Sequence, residues 1–298
     1  MNGLLGGVEA GGTKFNCVVA RGPDQVLERT TIPTGLPADT LAAVVEFFRH
    51  SARRHGPLAA IGVASFGPVE LDRASTDYGL ITNTPKEHWS RVAIVSTLER
   101  ELAVPVAFET DVNGAALGEG HGGAADGLDH YAYVTIGTGI GAGLIHRGRP
   151  LHGFSHPEVG HMLVPRHSDD DYPGQCPFHG DCLEGLACGP ALRARWGRDP
   201  AGLPADHPAW EIEAFYLASM CVNLVATFMP RRIILGGGVM AADGLLQQVR
   251  HQFCRLSGNY FQALDRESMR DFLVIPGHQG RSGEIGALIL ARGLVERE

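Results

Sequence analysis

The segment Cys176-Pro-Phe-His179-Gly-Asp-Cys182 places two thiols and an imidazole at C-x2-H-x2-C spacing. Thiolate and imidazole ligands suit tetrahedral Zn2+, and this spacing supplies three of them, so a fourth must come from elsewhere. His152, His156, His161 and His167 all lie near enough in sequence. Four protein ligands leave no open coordination position, which makes the expected role structural. Two glycine turns are the second chemical feature. Gly7-Val-Glu-Ala-Gly11-Gly12-Thr13-Lys14 nearly matches a P-loop, but with Thr and Lys in the wrong order, and Gly137-Thr138-Gly139-Ile-Gly-Ala142 matches G-x-G-x-x-A. Both of those motifs need a helix after the turn to hold the phosphate. Here the turns run into Phe15-Asn-Cys-Val-Val and Gly143-Leu-Ile-His, which read as strands. A glycine turn at a hairpin tip can still cradle phosphate through successive N–H groups, with close approach allowed by the missing Cβ. Thr13 and Thr138 would add hydroxyls and Lys14 a cation, and two such turns facing each other would clamp a triphosphate. The third feature is a pair of carboxylates. Asp111 follows the strand Val104–Glu109 and opens a helix, where α/β folds place ligands, although it would also serve as an N-cap. Glu9, inside the first glycine turn, could hold a hydrated Mg2+.

Alternating short strands and helices must position these groups, which indicates an α/β protein. Strands are expected at Leu4–Val8, Phe15–Ala20, Leu58–Ala64, Val104–Glu109, Tyr131–Ile136, Gly143–His146, Arg232–Leu235 and Phe272–Ile275. Helical periodicity covers Asp39–His55, Ser90–Leu102, Glu211–Met229, Asp243–Leu256 and Ser282–Glu296, with Asp39, Ser90, Asp243 and Ser282 as expected N-caps. Periodicity vanishes between Pro165 and Asp181, and a structureless loop of that length is either mobile or held by something. Residues 4–19 and 131–145 share one plan of strand, glycine turn, strand, which points to two related lobes.

Composition narrows the function classes. A chain of 298 residues suggests two domains, and its net charge of −8, without any basic block, argues against nucleic-acid or anionic-membrane partners. Only two lysines occur, Lys14 and Lys86, and both fall in candidate functional segments. The most apolar stretch, Leu217 to Met229, is too short to span a bilayer. The first thirty residues lack a signal-peptide pattern, and six cysteines in so long a chain form no disulfide framework, so a cytoplasmic location is expected.

Five segments occur in an order that resembles the ROK family of sugar kinases: Glu9-Ala-Gly-Gly-Thr-Lys14, Asp111-Val-Asn-Gly-Ala-Ala-Leu-Gly-Glu119, Thr135-Ile-Gly-Thr-Gly-Ile-Gly-Ala-Gly143, Glu158-Val-Gly-His161 and Gly236-Gly-Gly238. Thr84-Pro85-Lys86 and His179 make the chain most similar to the family's bacterial fructokinases. The resemblance implies an actin-like (ribonuclease H-like), duplicated two-lobe fold with a zinc-binding loop. Its lobes would be residues 1–114, with helix 282–298 packing back on them, and 115–281, with the zinc loop at 161–184. It implies Asp111 as the base that takes the proton from the sugar hydroxyl. Gly11, Gly12, Thr13, Lys14, Gly137, Thr138, Gly139 and Gly189 would lie on the phosphates, and Gly236, Gly237 and Gly238 on the nucleoside. Ser65, Asn83, Lys86, Thr110, Glu158, His161 and Glu184 would lie on the sugar. It selects His161 as the fourth zinc ligand, and it implies ATP with Mg2+, a hexose (fructose preferred) and a homodimer.

Two positions depart from the family pattern. Most members carry Asp at position 9, and the glucokinases usually carry Asn at position 110, so Thr110 weakens a glucose reading. A glucokinase or mannokinase is the near alternative. A sugar-sensing repressor is the distant one, disfavoured by the charge and by the first turn's closeness to Met1.

Overall fold

The computed structural model describes residues 3–258, 260–262, 264 and 268–296. Residues 1, 2, 297 and 298 of the expected first lobe and C-terminal helix lie outside them. The chain divides into two compact units, residues 1–127, 149–156 and 277–298 in one, and 128–148 and 157–276 in the other.

In the first unit, β1 (Leu4–Ala10) and β2 (Lys14–Ala20) form an antiparallel hairpin, and β3 (Val26–Pro33) extends it on the β2 side. On the other side β4 (Leu58–Ser65) runs parallel to β1, and β7 (Val106–Thr110) parallel to β4. The register aligns Ala10 with Ser65 and Ser65 with Thr110. The glycine turn, the loop after β4 and the helix after β7 therefore leave the sheet from one end, the carboxyl end of its parallel strands. Helix α1 (Pro37–His55) lays Leu41, Val44, Val45 and Phe48 on this sheet, against Val8, Ile61 and Val63. A two-strand ribbon, β5 (Leu80–Ile81) with β6 (Val92–Ala93), leads into α2 (Ile94–Leu102). Helix α3 (Asp111–Glu119) then follows β7, and the short strand β10 (Arg149–Pro150) opens the 149–156 segment.

Helix α9 (Ser282–Val295) packs on α3, β4 and β1 through a face of small residues. A Cβ at Gly286 would stand 1.7 Å from Gly114 O, and one at Gly62 would stand 1.9 Å from Ala287 O, so the backbones themselves are in contact. The buried Glu119 carboxylate ties the approach to this helix, accepting from Ser282 Oγ at 2.5 Å, Gly277 N at 2.8 Å and Ala124 N at 2.7 Å. This packing keeps α3 whole, so the first unit runs to Gly127 rather than ending after residue 114, and it reclaims the chain at Gly277.

The second unit repeats the plan. Strands β8 (His130–Ile136) and β9 (Ile140–His146) form the hairpin, and β11 (Ile233–Gly236) and β12 (Leu273–Val274) run parallel beside β8. Strand order β2-β1-β4-β7 in one unit thus corresponds to β9-β8-β11-β12 in the other. The second unit also holds α4 (Leu183–Ala187), α5 (Gly189–Trp196), α6 (Ala209–Thr227), α7 (Leu245–Ser257) and the single turn α8 (Met269–Phe272). Helix α6 is buried along most of its length, so the apolar stretch noted above is core as far as Val225, with Met229 exposed beyond it. No described helix is long and apolar enough to cross a membrane.

Several local expectations are corrected. Strand β3 was not expected, because as an edge strand it has no fully buried face to imprint a pattern. Asp39, Ser90 and Asp243 cap nothing: α1 begins at Pro37 with proline in its first turn, α2 begins directly after β6, and α7 follows the left-handed Gly244. Ser282 is the first residue of its helix, and its hydroxyl is committed to Glu119.

Candidate active site

In the first unit the turn between β1 and β2 is closed by Gly11 N donating to Lys14 O at 2.9 Å. Thr34 braces it, its N donating to Thr13 O and its Oγ1 to Gly11 O. A Cβ at Gly11 would press on Lys14 O at 2.9 Å, so packing demands that glycine. A Cβ at Gly12 would meet nothing within 4 Å, so the turn is open to its surroundings at that residue. Thr13 and Lys14 are exposed beside it. Glu9 is half-buried one strand position away, accepting from Asn16 Nδ2 at 2.8 Å. Burial holds its carboxyl above the usual range, against the Asn16 hydrogen bond, so a divalent cation would favour its ionised form.

Thr110, rather than Asp111, is the N-cap of α3, its Oγ1 accepting from Asn113 N at 3.1 Å. That releases Asp111 from capping. It is the first helical residue, half-buried, with Oδ1 accepting from Val112 N at 2.9 Å. Ser65, expected on the sugar side, is fully buried and its Oγ donates to Phe66 O at 2.9 Å. Asn83 is exposed and Lys86 half-buried in the segment between β5 and β6. Trp89 anchors that segment, its Nε1 donating to Gly35 O at 3.0 Å and its ring lying against Phe15 and Phe66. These are the residues after Lys14 and Ser65, so one buried indole fixes three parts of the site edge.

Glu109 escaped the sequence reading, although a carboxylate closing an otherwise apolar strand was the available signal. It is buried, and Oε1 accepts from Thr110 N and Asn113 Nδ2, both at 2.9 Å. His152 Nε2 lies 2.9 Å from its other oxygen. The first turn of α3, which carries Asp111, is thus held from below by Glu109 and through it by the 149–156 segment. The Glu109 hydrogen bond raises the His152 pKa, outweighing the burial that lowers it. A raised histidine pKa adds stability that is fully present below the unfolded value and is lost as pH rises through the folded one. The melting-temperature advantage of wild type over His152→Gln should therefore be full in mildly acidic buffer and shrink as pH rises above the ordinary histidine range of about 6.5. The gain is small because His152 is 40% exposed. A difference independent of pH would show that the pair is uncharged.

In the second unit the Gly137–Gly139 turn between β8 and β9 is closed by Gly137 N donating to Gly139 O at 2.9 Å. Gly137, like Gly12, has open space where a Cβ would stand, and Thr138 is exposed. Gly189 N donates to Gly137 O at 2.8 Å, and Glu184 Oε2 accepts from Ile140 N at 2.8 Å. Gly237 lies at φ 90°, and a Cβ there would stand 2.3 Å from Ile136 O. The turn after β11 therefore sits on the end of β8, beside the first turn. A cavity of about 260 Å³ adjoins it, lined by Gly238, Val239, Ala242, Leu203 and Trp210 among others. Leu203 and Trp210 were not expected, since nothing local to them marks a ligand. A larger open cavity of about 850 Å³, lined by Arg166, Glu211, His251 and Arg255, touches none of the expected site residues.

The structure also gathers the knuckle. The ligand atoms of His161, Cys176, His179 and Cys182 all lie within 4.8 Å of one another. His161 Nδ1 is 3.5 Å from Cys182 Sγ and 3.7 Å from Cys176 Sγ, and His179 Nδ1 is 3.6 Å from Cys176 Sγ. Tetrahedral Zn2+, with S at ~2.3 Å and N at ~2.05 Å, puts an S···N edge at about 3.6 Å, so the donor set and spacing fit this metal. His152 is paired with Glu109, His156 Nε2 accepts from Val69 N, and His167 Nδ1 accepts from Asp169 N, which leaves His161 as the fourth member. Glu158 is exposed, and its backbone carbonyl accepts from His161 N at 3.0 Å. A second anchor holds the loop. Arg195 donates from Nε and Nη2 to the buried Asp170 carboxylate, both at 3.0 Å, and Tyr216 OH donates to it at 2.5 Å.

Known proteins supply the remaining comparison. The model of the ROK family matches residues 5–293. A fructokinase of Zymomonas mobilis is 44% identical over 292 residues, 97% of this chain and 96% of that protein. A fructokinase of Pediococcus pentosaceus is 40% identical over 293 residues, 98% and 99% of the two chains. Among solved structures, the ROK hexokinase from Thermus thermophilus aligns with a TM-score of 0.78 at 28% identity, covering 99% of this chain and 100% of that one.

Proposed function

The chain belongs to the ROK family, and on that premise we propose that it is an ATP-dependent fructokinase, forming fructose 6-phosphate with Asp111 as the general base. The observation that carries this reading is the position of Asp111, on the first turn of α3 at the sheet end that also bears the open Gly11–Gly12 turn. Phosphoryl transfer asks a protein chiefly for positioning and charge neutralisation. Asp111 accepts the proton of the attacking hydroxyl, which raises the charge on that oxygen as it meets the γ-phosphorus. Backbone N–H groups of the two glycine turns other than those of Gly11 and Gly137, which close them, would hold the phosphates with Thr13, Thr138 and Lys14. Gly189 steadies the second turn. The Gly236–Gly238 turn and the cavity beside it receive the base and ribose. Mg2+ bound with ATP would supply charge neutralisation at the phosphate oxygens, and Glu9 would hold its water shell.

On the sugar side stand Asn83, Lys86, Thr110, Glu158, His161 and Glu184. Fructose is favoured over glucose by Thr110, and by the fructokinase relatives at 40–44% identity over nearly the whole chain. His161, Cys176, His179 and Cys182 would hold a structural Zn2+. A coupled ADP-release assay over fructose, glucose and mannose tests the reading, with fructose expected to give the highest kcat/KM. Preference for glucose or mannose would reassign the sugar, and no ADP release with any hexose would remove the kinase activity.

A further inference from the structure

We propose that Glu184 is a positioning residue for the nucleotide turn, through which order in the metal loop reaches Gly137–Gly139. The inference rests on the kinase reading above and deepens it, since family resemblance places Glu184 on the sugar alone. Three observations carry it. Glu184 Oε2 accepts from Ile140 N at 2.8 Å, the first amide of β9 after the turn. A Cβ on Gly139 would stand 2.6 Å from the same oxygen, so the carboxylate fills the space that this glycine opens. Just past α4, Gly189 N, the first residue of α5, donates to Gly137 O at 2.8 Å, while Cys188 N, the residue that joins the two helices, bonds back to Glu184 O at 3.3 Å. The α4–α5 junction thus holds the turn on both sides of Thr138.

Helix α4 is built onto the knuckle. Its N-cap is Cys182, a member of the metal cluster. Gln175 N donates to Gly185 O at 3.0 Å, and a Cβ at Gly185 would stand 2.0 Å from Gly180 O, so the knuckle backbone lies directly on α4. Cys182 N-caps the same turn of helix that Glu184 occupies, so displacement of the knuckle withdraws the Glu184 carboxylate from Ile140. The role is positional, because a carboxylate beside a phosphate turn brings no attraction of its own for phosphate. What the turn needs from residue 184 is an acceptor at that point.

Calorimetric ADP binding and amide exchange across 137–140 test this, alongside kinetics. Loss of one such hydrogen bond corresponds to roughly a tenfold change in affinity. Glu184→Ala should weaken ADP about tenfold and speed exchange at 137–140. Glu184→Gln, which keeps an acceptor oxygen, should hold ADP affinity within about twofold whatever it does to the sugar KM. Gly139→Ala, which pushes the carboxylate away without removing it, should reproduce the Glu184→Ala loss. Metal-stripped wild type should show the same weakening, and stripping Glu184→Ala should add little further. Metal content measured on each variant identifies any that has lost the knuckle instead. Unchanged ADP affinity in both Glu184→Ala and Gly139→Ala, with only the fructose KM raised, would overturn the proposal. A wild-type protein that neither binds ADP nor phosphorylates a hexose would overturn the kinase reading on which it stands.

Discussion

Asp111→Asn should lower kcat by about 10²–10⁴ while leaving fold, metal content and ADP affinity intact. The substitution is close to isosteric, and the amide oxygen can still accept from Val112 N as Oδ1 does at 2.9 Å. Thr110 supplies the helix cap, so no capping bond is lost. What disappears is a carboxylate able to take a proton from the sugar hydroxyl, together with a negative charge at a helix N-terminus worth about 0.3–1 kcal/mol. At about 2–4 °C per kcal/mol, the melting temperature should fall by no more than about 4 °C. Steady-state kinetics with a melting curve separate these terms. Near wild-type turnover would take the base role from Asp111, and a collapse in melting temperature would recast it as a structural residue.

The second large effect is expected from metal removal. The Cys182 thiol is held up to about 11, chiefly by burial, so a bound cation is what would make it a thiolate. A metal present at ~1,000 times its Kd stabilises the folded state by about 4 kcal/mol. Stripping it should therefore lower the melting temperature by about 8–16 °C. Cys176→Ser should do the same, with zinc content falling below one ion per chain. The Asp170–Arg195–Tyr216 anchor lies elsewhere in the loop, so the damage should centre on residues 174–185 and spread to the Gly137–Gly139 turn through α4. Elemental analysis paired with a chelator titration checks this. A chelated protein that melts at the wild-type temperature would mean that the knuckle holds itself together.

Much of this architecture can be read along the chain. The duplicated hairpins, the glycine turns, the knuckle spacing and the apolar stripe of α1 are set by backbone preferences and contacts between near neighbours in sequence. Periodicity records burial, so it reports α1 well. It misses β3, whose edge position leaves no buried face, and it cannot tell which residue of Ala242-Asp243-Gly244 precedes α7, where the left-handed Gly244 rather than Asp243 takes the N-cap.

Other features have no signature short of the folded chain. Four histidines compete for the knuckle on sequence spacing alone, and the fold brings His161 to the two thiols, while His152 pairs with Glu109, His156 with Val69 N and His167 with Asp169 N. Glu119 looks like the last residue of a helix motif, yet it holds Ser282, far along the chain, and so returns α9 to the first unit. Asp111 reads as the cap on paper, and the folded backbone gives the cap to Thr110 instead, with Asp111 as the first helical residue. Residue types and local spacing thus mark most of the candidate groups, and the resemblance carried by their order names the reaction. Assigning a role to each group depends on buried partners remote in sequence, because a carboxylate or imidazole buried in the fold goes to whichever donor or acceptor packing brings within about 3 Å.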